Sequence, residues 1–407
     1  YFCSSIYQKD LSTSLPFFYK NKIRLRFVIL TFKVLFLWSS CSYVMAQDSR
    51  DGFIFEGAYT LDLASNINGG IDQGFAYLGN IDLNVTFNTE KLGLWEGGQF
   101  YVYLLNNHGN SLSALMGDFQ IANNIEAESN SRLYEFWYKH HFKNATITLG
   151  QHDLNSVFAI SNSAGFFINS SFGIQPDISA NVPTSIFPLA GLGAVLSLNI
   201  SPNLYFTNAI YDGDPGTELS NPNSLKWSLN KTDGALSIHE FSYEKTKNSI
   251  SQASYKVGFW NHTQNQSYSG VVKNNSQGIY FIFDRQLTHL NLEEKGLRFF
   301  TQIGYSLNEY NPVKSYWGSG FVFKGFFGNR KEDTGGIAIA HNRFSPYYQS
   351  LFNSNTLNSE TTLELSYEFV FSNPLTLKPN IQYVINPGSD VNIPNALMAL
   401  VRMSYSW

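Results

Sequence analysis

The feature that most constrains this chain is a period-two alternation of apolar and polar residues, recurring in short segments along its length. Over residues 75–87, Phe75, Tyr77, Ile81, Leu83, Val85 and Phe87 share one side of an extended chain, and Asn80, Asp82, Asn84 and Thr86 the other. Over 375–385, Leu375, Leu377, Ile381, Tyr383 and Ile385 oppose Thr376, Lys378, Asn380 and Gln382. Near the end, Leu397, Ala399, Val401, Met403, Tyr405 and Trp407 oppose Arg402, Ser404 and Ser406. Successive side chains of a strand point to opposite faces, so each segment is a two-faced strand. Clusters of Asn, Gly, Ser and Pro separate the segments, and no stretch after Gln47 reads as an amphipathic helix. Sixteen candidate strands begin near Phe53, Phe75, Gly97, Arg132, Ala145, Gly193, Leu204, Ala235, Ala253, Gln277, Gly296, Gly318, Gly335, Thr361, Pro374 and Asn395.

A soluble sandwich would alternate too, and composition separates the two cases. Aromatic residues make up 16% of the 407, with 34 Phe and 24 Tyr, whereas charged residues are only 14%. Soluble chains carry about 25% charged residues. A mean hydropathy of −0.17 excludes a bundle of apolar membrane helices. Abundant apolar side chains dispersed along strands suit an all-β transmembrane antiparallel barrel, in which every second residue faces lipid.

The joins between strands carry a sidedness. Counting back from the last strand, residues 141–144, 200–203 and 372–374 are tight turns on one side, and other joins there stay short. On the opposite side, 64–74, 108–131, 151–192 and 213–234 are long. Outer-membrane barrels combine an even strand number with short periplasmic turns and long external loops.

An export signal agrees with that destination. A basic stretch from Lys20 to Arg26 precedes the apolar run 27–38, then a small and polar run to Ser42 and Val44-Met45-Ala46, which predicts cleavage after Ala46. The apolar run contains Lys33 and falls short of the ~20 residues of a spanning helix. Trp38 suits a lipidation signal at Cys41 poorly. The chain therefore divides into residues 1–46, upstream sequence and signal, and 47–407, the barrel. Both cysteines, Cys3 and Cys41, precede the cleavage point, so no disulfide or cysteine metal site is expected in the mature chain. Setting aside the six basic residues before Gln47 and Asp10, the 27 Lys+Arg and 31 Asp+Glu become 21 and 30, a net charge of −9. Nothing in that balance favours nucleic acid, whose phosphates demand clustered Lys and Arg.

A barrel of this size encloses an aqueous channel, narrowed by whatever folds into it. Join 151–192 contains Phe158, Phe166, Phe167, Phe172 and Phe187, and join 108–131 contains Leu112, Leu115, Met116 and Phe119. Such side chains do not sit well in an open aqueous loop, so both joins are expected to pack into the lumen. Candidate channel-lining or permeant-contacting residues are Asp118, Gln120, Glu135, Trp137, Asp153, Asn155, Arg298, Glu364, Glu368 and Gln382. Glu135, Trp137 and Lys139 are expected to alternate with Tyr134, Phe136 and Tyr138. Carboxylates, amides and an Arg beside aromatic rings suit a neutral sugar, whose hydroxyls both donate and accept and whose C–H faces stack on rings.

Catalysis and cofactors find no support. His152 and Asp153 are adjacent on an extended segment and point to opposite faces, so they cannot form a base with its orienting acid. His140-His141 lacks metal-ligand spacing. A plugged transporter would need a domain before the first strand, and only a few residues separate Gln47 from that strand. The expected partners are outer-membrane lipid and lipopolysaccharide, and the barrel-assembly machinery acting on the C-terminal strand that ends at Trp407.

The order of motifs resembles one family, the carbohydrate-selective porins (OprB). The blocks are Gly117-Asp118-Phe119-Gln120, Asn124-Ile125-Glu126-Ala127, Leu133-Tyr134-Glu135-Phe136-Trp137-Tyr138, and Gly150-Gln151-His152-Asp153-Leu154-Asn155 with Phe158. Later come the stretch 360–367 and Leu377-Lys378-Pro379-Asn380-Ile381-Gln382-Tyr383 through Gly388. The resemblance implies a Gram-negative outer-membrane porin favouring mono- and oligosaccharides. Family channels often use Arg at the constriction, and this chain has only seven Arg after Gln47. A general diffusion porin for small hydrophilic solutes is the alternative.

Overall fold

The computed structural model describes residues 52–407 except 248–249, 264–265, 269–270, 274, 289–294, 352–355 and 373. The export signal and its cleavage point lie outside the described residues. Period-two segments become strands β1 (Phe53–Asn68), β2 (Gly74–Asn88), β3 (Gly98–Gly109), β4 (Asn130–His141), β5 (Ala145–His152), β6 (Gly191–Ser201), β7 (Leu204–Asp212), β8 (Ala235–Lys247) and β9 (Ile250–His262). A short hairpin, β10 (Gln266–Tyr268) and β11 (Val271–Lys273), interrupts the series. Then follow β12 (Ser276–Gln286), β13 (Gly296–Ser306), β14 (Val313–Lys324), β15 (Thr334–Phe344), β16 (Ser359–Ser372), β17 (Leu375–Ile385) and β18 (Ala396–Ser406).

All but the hairpin strands form one closed antiparallel barrel of sixteen, each strand bonded to its sequence neighbours, with β12 beside β9 and β18 returning to β1. Closure returns the last strand to the first and so removes the free edges of an open sheet, which hydrocarbon does not tolerate. Alternation then sorts the side chains. Phe75, Leu83, Ile381 and Tyr383 are exposed on the outer wall, while Asn80, Asn380 and Gln382 are buried within. Toward the short-join end, rings contact from strand to strand as Tyr243–Tyr255, Tyr255–Phe283, Phe283–Phe299 and Phe299–Phe321, at centroid distances of 6.1, 5.2, 6.0 and 5.1 Å. Such an aromatic girdle belongs at a membrane–water boundary.

Two local irregularities depart from the sequence pattern. A bulge in β4 opposite Tyr103 and Leu104 of β3 leaves Tyr134 as an extra residue. Tyr134 therefore turns inward beside Glu135, buried at 4% exposure, instead of sharing the outer face of Phe136. Strand β14 begins at Val313 rather than Gly318: Tyr316 packs inward and Trp317 faces outward, so aromatic residues on both faces hide the apolar–polar alternation there.

The seam is closed by ten paired positions between β1 and β18, from Ala58↔Ser406 to Asn68↔Leu397. At its end, Gly57 N–H donates to the Trp407 carbonyl at 3.0 Å and Trp407 N–H to the Gly57 carbonyl at 2.9 Å. The indole lies over Gly57, where a Cβ would come within 2.4 Å of the ring. Gly57→Ala is therefore expected to cost ~1–3 kcal/mol through overpacking at the closing seam. Loss of the compact folded band at a lower heating temperature in a gel-shift assay checks it, and an unchanged melting temperature would show that the indole yields freely.

Candidate channel constriction

Join 153–190, between β5 and β6, crosses the lumen and packs on the far wall. Its Leu154, Phe158, Ile174, Ile178 and Val182 form a core with Trp260, Tyr280 and Ile282. Its Phe167 and Phe172 meet Phe300 and Tyr316 in a second cluster. Join 110–129 places Leu112, Met116 and Ala122 against Ala64, Leu78, Val384 and Leu400. Both joins thus fold inward and pack on the inner face of the barrel.

Apolar contact does not position a loop backbone by itself, and wall carboxylates do. Glu364 on β16 accepts from the backbone N–H groups of Ile168 (2.7 Å) and Asn169 (3.0 Å), and from Asn380 and Ser366. Glu360, four residues nearer the long-join end on the same face, accepts from the N–H groups of Phe119, Gln120 and Gly388 at 2.6–2.8 Å. Asp284 on β12 takes Ser161, Ser163 and Arg298, and Glu240 on β8 takes Ala159 N–H and the Tyr280 hydroxyl. Asp62 on β1 takes Asn123 from the loop and Arg402 from β18. Hydrogen bonds onto an ionised acceptor are about twice as strong as neutral ones, which suits them to fixing a loop.

The sequence-derived candidates divide by position. Glu364 and Gln382 are buried beneath the joins, and Gln382 donates to the Ala122 carbonyl and accepts from Asn169, tying the two joins together. Gln120 bridges them likewise, through Ser171 and the Glu360 carbonyl. Asp118 stands beside Glu360 in join 110–129, where burial raises its pKa. Asp153 and Asn155 shape the start of the crossing join: Asn155 N–H donates to Asp153, and Asn155 donates to the Phe158 carbonyl. Burial pushes the Asp153 carboxyl up to about 6. Glu135 accepts from Asp153 N–H at 2.8 Å. Arg298 and Glu368 keep 19% and 27% of their side-chain surface exposed to the lumen, paired with Asp284 and with Lys378.

Trp137 belongs to a set the sequence pattern did not single out. On the inner faces of β3 and β4, Tyr101 stacks on Trp137 at 4.7 Å and 23°, Tyr103 meets Tyr134 at 5.1 Å, and Lys139 Nζ lies 4.5 Å above the Trp137 ring. The Tyr103 hydroxyl donates to Asp82 at 2.5 Å. The missed signal was available in the parity: Tyr101 and Tyr103 oppose Trp137 and Glu135 once β3 and β4 are aligned. The anchoring acids Asp62, Glu240, Asp284 and Glu360 were missed for a different reason, since their roles depend on which wall each join reaches.

A closed sixteen-stranded barrel with lipid-facing rings, a polar interior and two in-folded joins defines an outer-membrane channel of the porin class. The chain belongs to the carbohydrate-selective porin, OprB family, whose pattern it matches over residues 72–406. It is similar to Porin B of Pseudomonas aeruginosa, 23% identical over 405 residues that cover 86% of this chain and 87% of the relative. It is also similar to a putative porin, QuiX, of Acinetobacter baylyi, 22% identical with 88% and 90% covered. Among solved structures, the high-pH form of Pseudomonas putida OprB shares the fold, with a TM-score of 0.78, 21% identity, and coverage of 88% of this chain and 94% of that one. The short-join end is thus periplasmic, the long-join end external, and the protein resides in the outer membrane of a Gram-negative bacterium.

Replacing Glu364 by Ala strands two buried loop N–H groups, each costing ~1–3 kcal/mol when unpaired. The expected result is a larger and noisier single-channel conductance as join 153–190 loosens. A conductance equal to wild type would show that apolar packing alone holds the join.

Proposed function

We propose that this porin passes neutral mono- and oligosaccharides by diffusion, guided past the constriction by the aromatic strip of β3 and β4. The observation that carries this reading is the stack of half-buried Tyr101 on buried Trp137 on the inner wall, with Tyr103, Asp82, Glu135 and Lys139 around it. Ring faces offer surface to sugar C–H groups, while neighbouring carboxylates and an ammonium exchange hydrogen bonds with hydroxyls. Arg298 and Glu368, with side-chain surface facing the lumen, are proposed as contacts on the opposite wall, as are Asp153 and Asn155 at the join. Asp118, Gln120, Glu364 and Gln382 act in this reading through the joins they hold, shaping the aperture. Within the same reading, residues 1–46 direct export and are removed, leaving 47–407 as the mature barrel. Its outer wall meets lipid and lipopolysaccharide, and the assembly machinery engages β18 through Trp407.

Liposome swelling with glucose, arabinose and uncharged amino acids of matched size tests the selectivity. Sugars are expected to enter faster than amino acids of equal size, and Tyr101→Ala with Trp137→Ala to erase that advantage while leaving amino-acid entry in place. Permeation ranked by size alone in the wild type would replace the selective reading with general diffusion.

A further inference from the structure

The barrel wall has a gap near its external rim, and the external join 213–234 fills it. Strand β5 is eight residues long, against twelve for β4. Their pairing runs only as far as Phe136↔Gln151, so β4 continues toward the outside with no strand in register on that side. The groups left open there are met by join 213–234 and by Gln151. Leu133 N–H donates to the Asn223 carbonyl at 3.1 Å, and Asn223 donates to the Ser131 carbonyl at 2.8 Å. Gln151 donates to the Leu133 and Tyr134 carbonyls and accepts from the Trp227 indole at 2.6 Å. From the inner side, Glu218 accepts from Glu128 N–H at 2.8 Å and pairs with the buried Arg132. The join is thus a substitute for missing wall.

Its outward surface continues the lipid-facing belt. The Trp227 ring stacks on Phe136, which is exposed on the outer wall, at 6.2 Å and 9°. Around it Leu225, Trp227 and Leu229 are 60%, 50% and 74% exposed. Contiguous apolar side chains at such exposure mark an interaction surface. Lys226 and Lys231 are exposed beside them. We propose that residues 225–231 lie in the outer leaflet and bind its phosphorylated glycolipid, acyl chains against Leu225, Trp227 and Leu229 and phosphates against Lys226 and Lys231. Continuity with the outer wall favours lipid over a soluble partner, and paired apolar and basic groups are what an anionic lipid recognises.

The mature chain has no cysteine of its own, so single-site labelling is clean. Leu225→Cys and, separately, Leu229→Cys would carry an environment-sensitive fluorophore in vesicles containing lipopolysaccharide, with Glu90→Cys in an exposed join as the aqueous reference. The expected result is blue-shifted emission, quenching by brominated acyl chains, and several-fold weaker quenching by iodide than at the reference. Lys226→Gln and Lys231→Gln are each expected to weaken lipid A binding in nanodiscs about fivefold, the worth of one basic residue at an anionic surface. Iodide quenching as strong as at the reference would place the segment in water and overturn the proposal. Shielding from iodide without quenching by brominated lipid would assign the surface to a protein partner and overturn it equally. Retention of the folded gel band and of sugar entry shows that each variant is intact, and keeps this outcome separate from the channel reading.

Discussion

The channel depends on carboxylates of the barrel wall that accept hydrogen bonds from the backbone of the in-folded joins. A long external join carries apolar side chains that favour burial, but burial alone is non-directional and would tolerate many poses. Glu364 and Glu360 remove that freedom, because each holds two or more loop N–H groups in one geometry. Glu240 and Asp284 repeat the device around the wall and Asp62 holds the Asn123 side chain, the three partly offset by Lys256, Arg298 and Arg402. A buried carboxylate without such donors would be costly, and a loop N–H without an acceptor likewise. Each requirement satisfies the other, and the aperture is the space that remains.

The same arrangement accounts for the scarcity of free positive charge in the lumen. Among the described residues, Lys256, Arg298, Lys378 and Arg402 each stand within 4 Å of a carboxylate, and Lys139 caps an indole. With cations engaged in this way, the surface left to a permeant consists of rings, amides, hydroxyls and paired charges. That is a surface for neutral polar solutes with many hydroxyls. The small number of Arg residues does not leave the wall without ion pairs, because Lys fills several of those positions.

Much of the fold was legible in the residues. Strands β1, β5, β7, β8 and β13 begin where the alternation starts, at Phe53, Ala145, Leu204, Ala235 and Gly296. The phenylalanines of join 153–190 announced an inward fold, since water would not accommodate them. Less legible were positions where parity slips. Tyr134 could not be seen to turn inward, because a bulge is defined by the partner strand opposite it. Glu364 and Gln382 stood out on a polar face, but whether that face meets open lumen or a packed loop is a property of where the loop travels.

By itself, then, the sequence determined the strands, their count, their two faces and the direction in which the long joins fold, because alternation and hydrophobicity act on near neighbours in the chain. Only the tertiary structure decided which acid holds which join, which aromatics stack into a strip, and that join 213–234 stands in for missing wall above β5. Those outcomes couple residues such as Phe119 with Glu360 and Trp227 with Phe136, far apart in sequence and brought together by barrel closure and register. No local pattern encodes that distance.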